Sequence, residues 1–168
     1  MRRHPKYDRD VEKVKHEDSI KYLYFSRYLM IRYIASIFLF ANLFWMILCI
    51  NYQQLVGLIL SAGMFIGTVV VGIEQLSKMH SRKADVPLTR KFLWLQLSMN
   101  LLLLVVLLTP FRSSLFPFAK DGNSTLLIAG ILLIGVLLCV VSELKINKII
   151  NGTDRYTSVI NTFKKNRQ

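Results

Sequence analysis

Charge is missing from long stretches of this sequence. Lys and Arg number 22 and Asp and Glu 10 in 168 residues, yet four apolar runs of 18 or 19 residues carry no charge at their centres. A soluble domain that is 53% apolar and 19% charged interleaves the two kinds of residue; here they are segregated into blocks. That excludes a single soluble globular domain. The apolar content also excludes a disordered chain, which cannot bury enough apolar surface to order itself.

The four runs are residues 33–50, 55–73, 92–109 and 125–142. A bilayer's hydrocarbon core of about 30 Å needs about 20 helical residues at about 1.5 Å each. Each run is therefore long enough to cross. The expected fold is an all-α membrane protein, a four-transmembrane-helix bundle spanning 33–142, with a basic segment 1–32 before it and a basic tail 143–168 after it. Only Asn51, Tyr52, Gln53 and Gln54 join the first two runs, so these form an antiparallel hairpin. The third run is stopped by Pro110, and the fourth ends at Glu143.

Lys and Arg near membrane spans favour the cytoplasmic side. Residues 1–32 carry nine basic and five acidic residues, 74–91 five and two, and 143–168 six and two. The first outer loop has no charge, and residues 110–124 have only Arg112, Lys120 and Asp121. Both termini are thus predicted to be cytoplasmic. Charge throughout the first 30 residues argues against a cleavable signal peptide. The +12 net charge is accounted for by this topology, and no nucleic-acid-binding motif accompanies it.

Catalytic equipment is equally sparse. His4, His16 and His80 are the only histidines, and none shares metal-ligand spacing with Cys, Asp or Glu. Cys49 and Cys139 fall at opposite depths of the membrane, too far apart for a disulfide. There is no phosphate loop, dinucleotide fingerprint or nucleophilic serine motif. No cofactor, metal or enzymatic activity is expected. No ionisable residue lies near a midplane; Glu74 and Glu143 sit at span ends, where Glu74 can pair with Lys78, and Glu143 with Lys145 and Lys148. Arg32 can reach the inner interface.

The flanking segments have patterns of their own. Residues 10–30 lack Pro and Gly, and Tyr22, Tyr24, Phe25, Tyr28 and Tyr33 cluster before the first run. This reads as an interfacial helix on the inner leaflet that turns into the bilayer, serving as an anchor in preference to a docking face. Asn151-Gly152 should end the helix continuing from the fourth run. Tyr156, Val159, Ile160 and Phe163, followed by Lys164, Lys165 and Arg167, then form a short amphipathic helix suited to anionic inner-leaflet lipid. The outer loop holds Phe111, Leu115, Phe116, Pro117 and Phe118 and is expected to dip into the outer headgroups.

Inside the spans the signals concern packing. Gly57 with Ser61, and Gly63 with Gly67, are small-xxx-small pairs, and Gly72 extends the series. The fourth run has a weaker small face of Ala129, Gly130, Gly135, Cys139 and Ser142. Asn42 and Asn100 are mid-depth amides that should find a partner in each other or in a subunit. These features, with no catalytic set, point to a non-enzymatic protein that binds another membrane protein through its helices. It would be an accessory subunit of a transport or secretion complex, or an immunity-type protein. The alternative is a small homo-oligomeric transporter or channel lined by Asn42, Asn100, Ser61, Thr68 and Ser98. Abundant Ile, Lys, Asn and Phe suggest a bacterial plasma membrane. A fluorescent reporter fused after Gln168 is expected to light up in the cytoplasm. Activity of alkaline phosphatase fused at the same place would reverse the topology.

Overall fold

A computed structural model describes the backbone of residues 5–78, 86–119, 121–153 and 159, and the side chains of these except 5–14, 16, 17, 20, 21, 24 and 78. The elements are α1 (Pro5–Asn51), α2 (Leu55–Lys78), α3 (Pro87–Leu107), the single-turn α4 (Arg112–Leu115) and α5 (Gly122–Ile150), with no strand among the described residues. Four helices are long and apolar enough to cross a membrane: 25–51 within α1, 55–77 within α2, all of α3 and all of α5. Only 22% to 33% of each apolar window is buried inside the protein. The remaining faces present side chains such as Ile37, Phe44, Ile59, Val105 and Leu126 outward. Water would penalise that surface at about 25 cal/mol per Å², whereas hydrocarbon accepts it. The chain therefore has the character of an integral membrane protein.

The expected interfacial helix and the first span are one continuous helix, α1, of 47 residues. Tyr28, read as part of an interfacial belt, is instead buried among Ile31, Ile34, Ile146 and Ile149, while Tyr22 and Tyr33 are exposed. Residues 154–158 and 160–168, which include most of the amphipathic C-terminal segment, lie outside the described residues.

The inward faces follow a seven-residue repeat. On α5 the buried residues are Ile128, Leu132, Gly135, Cys139, Ser142, Ile146 and Ile149. On α2 they include Gly57, Ser61, Met64, Thr68, Val71 and Gln75. Alternating steps of three and four keep one seam facing a neighbouring helix. The helices pair as α1 with α2 and α3 with α5, and α2–α3 and α1–α5 close the ring. Of these four interfaces, α1–α5 is the smallest.

The turn after α1 is made by hydrogen bonds from Gln53 N to Ile50 O and from Gln54 N to Cys49 O, both 3.0 Å, with Gln53 left-handed at φ 55°. The same pattern ends α5, from Gly152 N to Ile149 O and from Thr153 N to Lys148 O, with Gly152 at φ 66°. This is the Schellman arrangement, and glycine adopts it without steric cost. The Asn151-Gly152 stop is where the spacing placed it.

At the charged end, all four long helices are tied by polar groups. Val86 precedes α3 and offers no side-chain acceptor, and Pro87 occupies the first turn. The carboxylate of Glu74, from the end of α2, takes the capping role: it accepts from Leu88 N at 3.1 Å, Thr89 N at 2.7 Å and Thr89 Oγ1 at 2.6 Å. Gln75 Nε2 adds a bond to Thr89 Oγ1 at 2.8 Å. A buried anion against the open N–H groups of a helix start is favoured by both hydrogen bonding and the helix dipole. Arg90 of α3 then reaches Glu143 Oε1 at 2.7 Å and Asn147 Oδ1 at 2.8 Å on α5. Buried Arg27 of α1 donates to Ile149 O at 2.8 Å.

The other end is closed differently. Leu115, Phe116 and Ala119 are buried against Leu103, Leu107, Ile128 and Leu132, so much of the loop turns inward, although Phe111 stays exposed. Trp45 Nε1 donates to Leu115 O at 3.0 Å, and its ring stacks on Phe116 at 5.6 Å. A backbone with few partners of its own gains them by folding onto the helix ends.

Replacing Glu74 by Leu is expected to lower the unfolding free energy in detergent by about 1–3 kcal/mol, the cost of leaving buried N–H groups unpaired. Glu74→Gln, which keeps one acceptor oxygen, should lose about half as much. Equal stability of all three proteins would remove the cap from this account.

Candidate functional site

Three sets of sequence-predicted residues can now be placed. The small residues divide into two groups. A Cβ on Gly57 would lie 2.7 Å from Cys49 Sγ and 3.3 Å from the carbonyl oxygens of Ser114 and Leu115. One on Gly67 would lie 2.7 Å from Phe92 Cε2, and one on Gly135 2.6 Å from Asn100 Nδ2. These glycines pack the bundle itself, as does fully buried Ser61. Gly63, Gly72 and Gly130 have nothing within 4 Å of an added Cβ. The Gly63–Gly67 pair is therefore split between the outside of the molecule and its inside.

Gly63 lies in a second seam on α2, made of Val56, Ile59, Gly63, Ile66, Val70 and Ile73 and all exposed. It repeats the three-and-four spacing of the inner seam on the opposite face. Every member but the glycine is β-branched, so its side chain has little rotamer freedom to lose on packing.

The two acidic residues at span ends both reach across to neighbouring helices. Both carboxylate oxygens of Glu74 serve the start of α3, and the side chain of Lys78 lies outside the described residues. Glu143 pairs across helices with Arg90. The guanidinium carbon of Arg32 stands 4.6 Å above the Phe25 ring, two turns back towards the charged end.

Asn42 and Asn100 are joined, but through a third amide. Asn42 Nδ2 donates to Gln96 Oε1 at 3.3 Å, and Gln96 Nε2 donates to Asn100 Oδ1 at 3.1 Å. All three residues are at least 95% buried, and Asn100 Nδ2 has no partner. Gln96 lies one turn before Asn100 on α3, which the sequence pattern of isolated amides did not bring out. The other expected lining groups do not join them: Ser61 and Thr68 bond carbonyls of their own helix, and Ser98 faces outward, bonded to Trp94 O.

These amides form the floor of a cleft of about 680 Å³ between α1 and α5. It exists because the two helices meet closely only towards the charged end, where Ile34 and Phe38 pack with Cys139 and Ile146. Towards the uncharged end they stand apart. Ala41, Trp45, Leu48, Leu127 and Ile131 form much of the wall, and Phe116 and Phe118 bound the far end. The exposure of Ile37, Phe44, Leu127, Ile131 and Ile134 shows that the cleft opens sideways, to the surface a bilayer would cover. No single feature of the sequence announces it, since its walls are composed like the rest of the spans.

Among the described residues no group of three or more His, Cys, Asp or Glu is placed to hold a metal ion. Cys49 and Cys139 are separate and buried. No family model, curated protein or solved structure matches this chain.

Gln96→Leu is expected to cost about 1–2 kcal/mol of stability, because it strands the amides of Asn42 and Asn100 in an apolar interior. Replacing all three amides by Leu should cost less than Gln96→Leu alone, since no polar group is then left unpaired. Additive losses across the three positions, measured by unfolding in detergent, would show that the amides act separately.

Proposed function

We propose that this chain is a non-enzymatic integral membrane protein that works by binding another membrane protein through its helices, as an accessory subunit or an immunity-type inhibitor does. The observation that carries this reading is the outer seam of α2. It is a heptad-spaced row of five β-branched residues around an open glycine, and among the described residues no helix lies against it. Within hydrocarbon no hydrophobic effect drives helices together, so close backbone approach over a small residue and well-defined side-chain shape supply the attraction. Gly63 provides the approach, and Ile59, Ile66, Val70 and Ile73 provide the shape.

The surrounding features support a passive, anchored scaffold. Both termini sit on the cytoplasmic side in this reading, by the distribution of Lys and Arg. The first part of α1 and the C-terminal tail then lie near anionic inner-leaflet lipid, at about 1 kcal/mol per nearby cation. A plasma membrane of bacterial type is the expected setting. The autonomous transporter reading has less support, because Ser61, Thr68 and Ser98 do not line the space that Asn42 and Asn100 line.

The test is gentle extraction of a tagged copy at native expression level, with the particle mass measured and its components identified. A stoichiometric second protein that is lost in Gly63→Leu but retained in Gly130→Leu is the expected result. Helicity and thermal midpoint should be unchanged in Gly63→Leu, because its new side chain meets open space. A particle containing only this chain, in parent and variant alike, would replace the proposed partner with a second copy or with none.

A further inference from the structure

The cleft between α1 and α5 is independent of the α2 seam, and its dimensions limit what it can take. From Ile37 to Leu48 it follows α1 for twelve residues, eleven rises of about 1.5 Å or about 16 Å. That is close to half of a hydrocarbon core of about 30 Å. It is bounded at the floor by Phe38 and the amides and at the far end by Phe116 and Phe118. A spanning helix needs the whole thickness and does not fit between these limits. The volume, apolar wall and few convergent polar groups are those of a small-molecule site.

The amide chain specifies the polar group such a molecule carries. A side-chain amide can be turned end for end with its two distances unchanged, since its oxygen and nitrogen exchange places. With the donors running from Asn42 through Gln96 to Asn100, the amide of Asn100 buries an unpartnered N–H₂ beside Gly135. With all three turned over, both bonds persist in the opposite sense. The oxygen of Asn100 then lies beside the Cα of glycine, a tolerable contact. The unpartnered N–H₂ moves to Asn42, on the α1 wall of the cleft. The arrangement with fewer buried losses therefore offers a donor to the cleft at mid-bilayer depth.

We propose that the cleft binds a bilayer-soluble apolar molecule bearing a carbonyl or ether oxygen, which accepts a hydrogen bond from the Asn42 amide. The ligand enters sideways from the hydrocarbon, its apolar body lies against Ala41, Trp45 and Ile131, and its oxygen completes the amide chain. A hydrocarbon without the oxygen fills the same space but leaves the donor unpaired.

Trp45 reports on occupancy. The chain has two tryptophans, and Trp94 is exposed on α3, so Trp94→Phe leaves Trp45 as the sole indole. This protein would be reconstituted in phosphatidylcholine vesicles and titrated with a brominated long-chain dialkyl ketone, and separately with the brominated alkane of equal length. The ketone should quench Trp45 saturably and about three- to thirty-fold more tightly than the alkane, the range for one intramembrane hydrogen bond. Asn42→Leu should bring the ketone to the alkane's level, and Ala41→Phe, which fills the cleft from a wall position, should remove saturable quenching by both. Circular dichroism would verify helicity in each variant; if Asn42→Leu loses it, the ketone and alkane titrations of the parent and of Ala41→Phe decide. Quenching that rises linearly with mole fraction for both probes would overturn the site. A ketone preference that survives Asn42→Leu would overturn the role given to the amide.

Discussion

The fold depends on a carboxylate placed against the start of a helix. Glu74, at the end of α2, accepts from the open N–H groups of Leu88 and Thr89, which the apolar side chain of Val86 at the N-cap cannot satisfy. In an apolar setting such groups cost several kcal/mol when unpaired. Satisfying them from the neighbouring hairpin joins the two halves of the chain. Arg90 then begins one residue after the capped turn and is held where it meets Glu143 and Asn147. Arg27 ties α1 to the last turn of α5. Each tie uses a charged or amide group that apolar packing alone would leave unplaced.

A bundle fastened at one end is free to differ at the other. Where the ties are, α1 and α5 pack through Ile31, Ile34, Phe38 and Ile146. Beyond the Asn42–Gln96–Asn100 amides they separate, and the aromatic loop residues bridge the gap from above. The close approach of Asn100 to Gly135 marks the transition, because α5 can come that near α3 only where it has no side chain. The cleft is thus a consequence of where polar and small residues fall on helices that are otherwise uniformly apolar. The outer α2 seam has a different origin: it is the face left over after Gly57, Ser61, Met64, Thr68 and Val71 have been used inside.

Much of this was legible in the sequence. Length, hydropathy and the absence of internal charge locate four spans, since the bilayer imposes a length that any helix must meet. The glycine stop at Gly152 was readable because left-handed backbone favours that residue. Asn42 and Asn100 stood out because amides are costly in hydrocarbon. Glu74 stood out as well, but the groups it is seen to serve, at the start of α3, are not on its own helix. Helix-surface rules see only i, i+3 and i+4 neighbours, whereas Leu88 and Thr89 are fourteen and fifteen residues away.

What the sequence by itself determined, then, is the number of helices long and apolar enough to span a membrane, because this follows from properties summed along the chain. What only the tertiary structure decided is which side of each helix is used. Gly63 and Gly67 are equivalent in any sequence motif, yet one opens outward and the other meets Phe92. Gln96 became the link between two asparagines only once α1 and α3 faced each other across the ring. The cleft appeared only when α1 and α5 met at one end and not the other. Such assignments depend on the rotation of each helix about its axis, and that rotation is set by the summed contacts of all its neighbours at once.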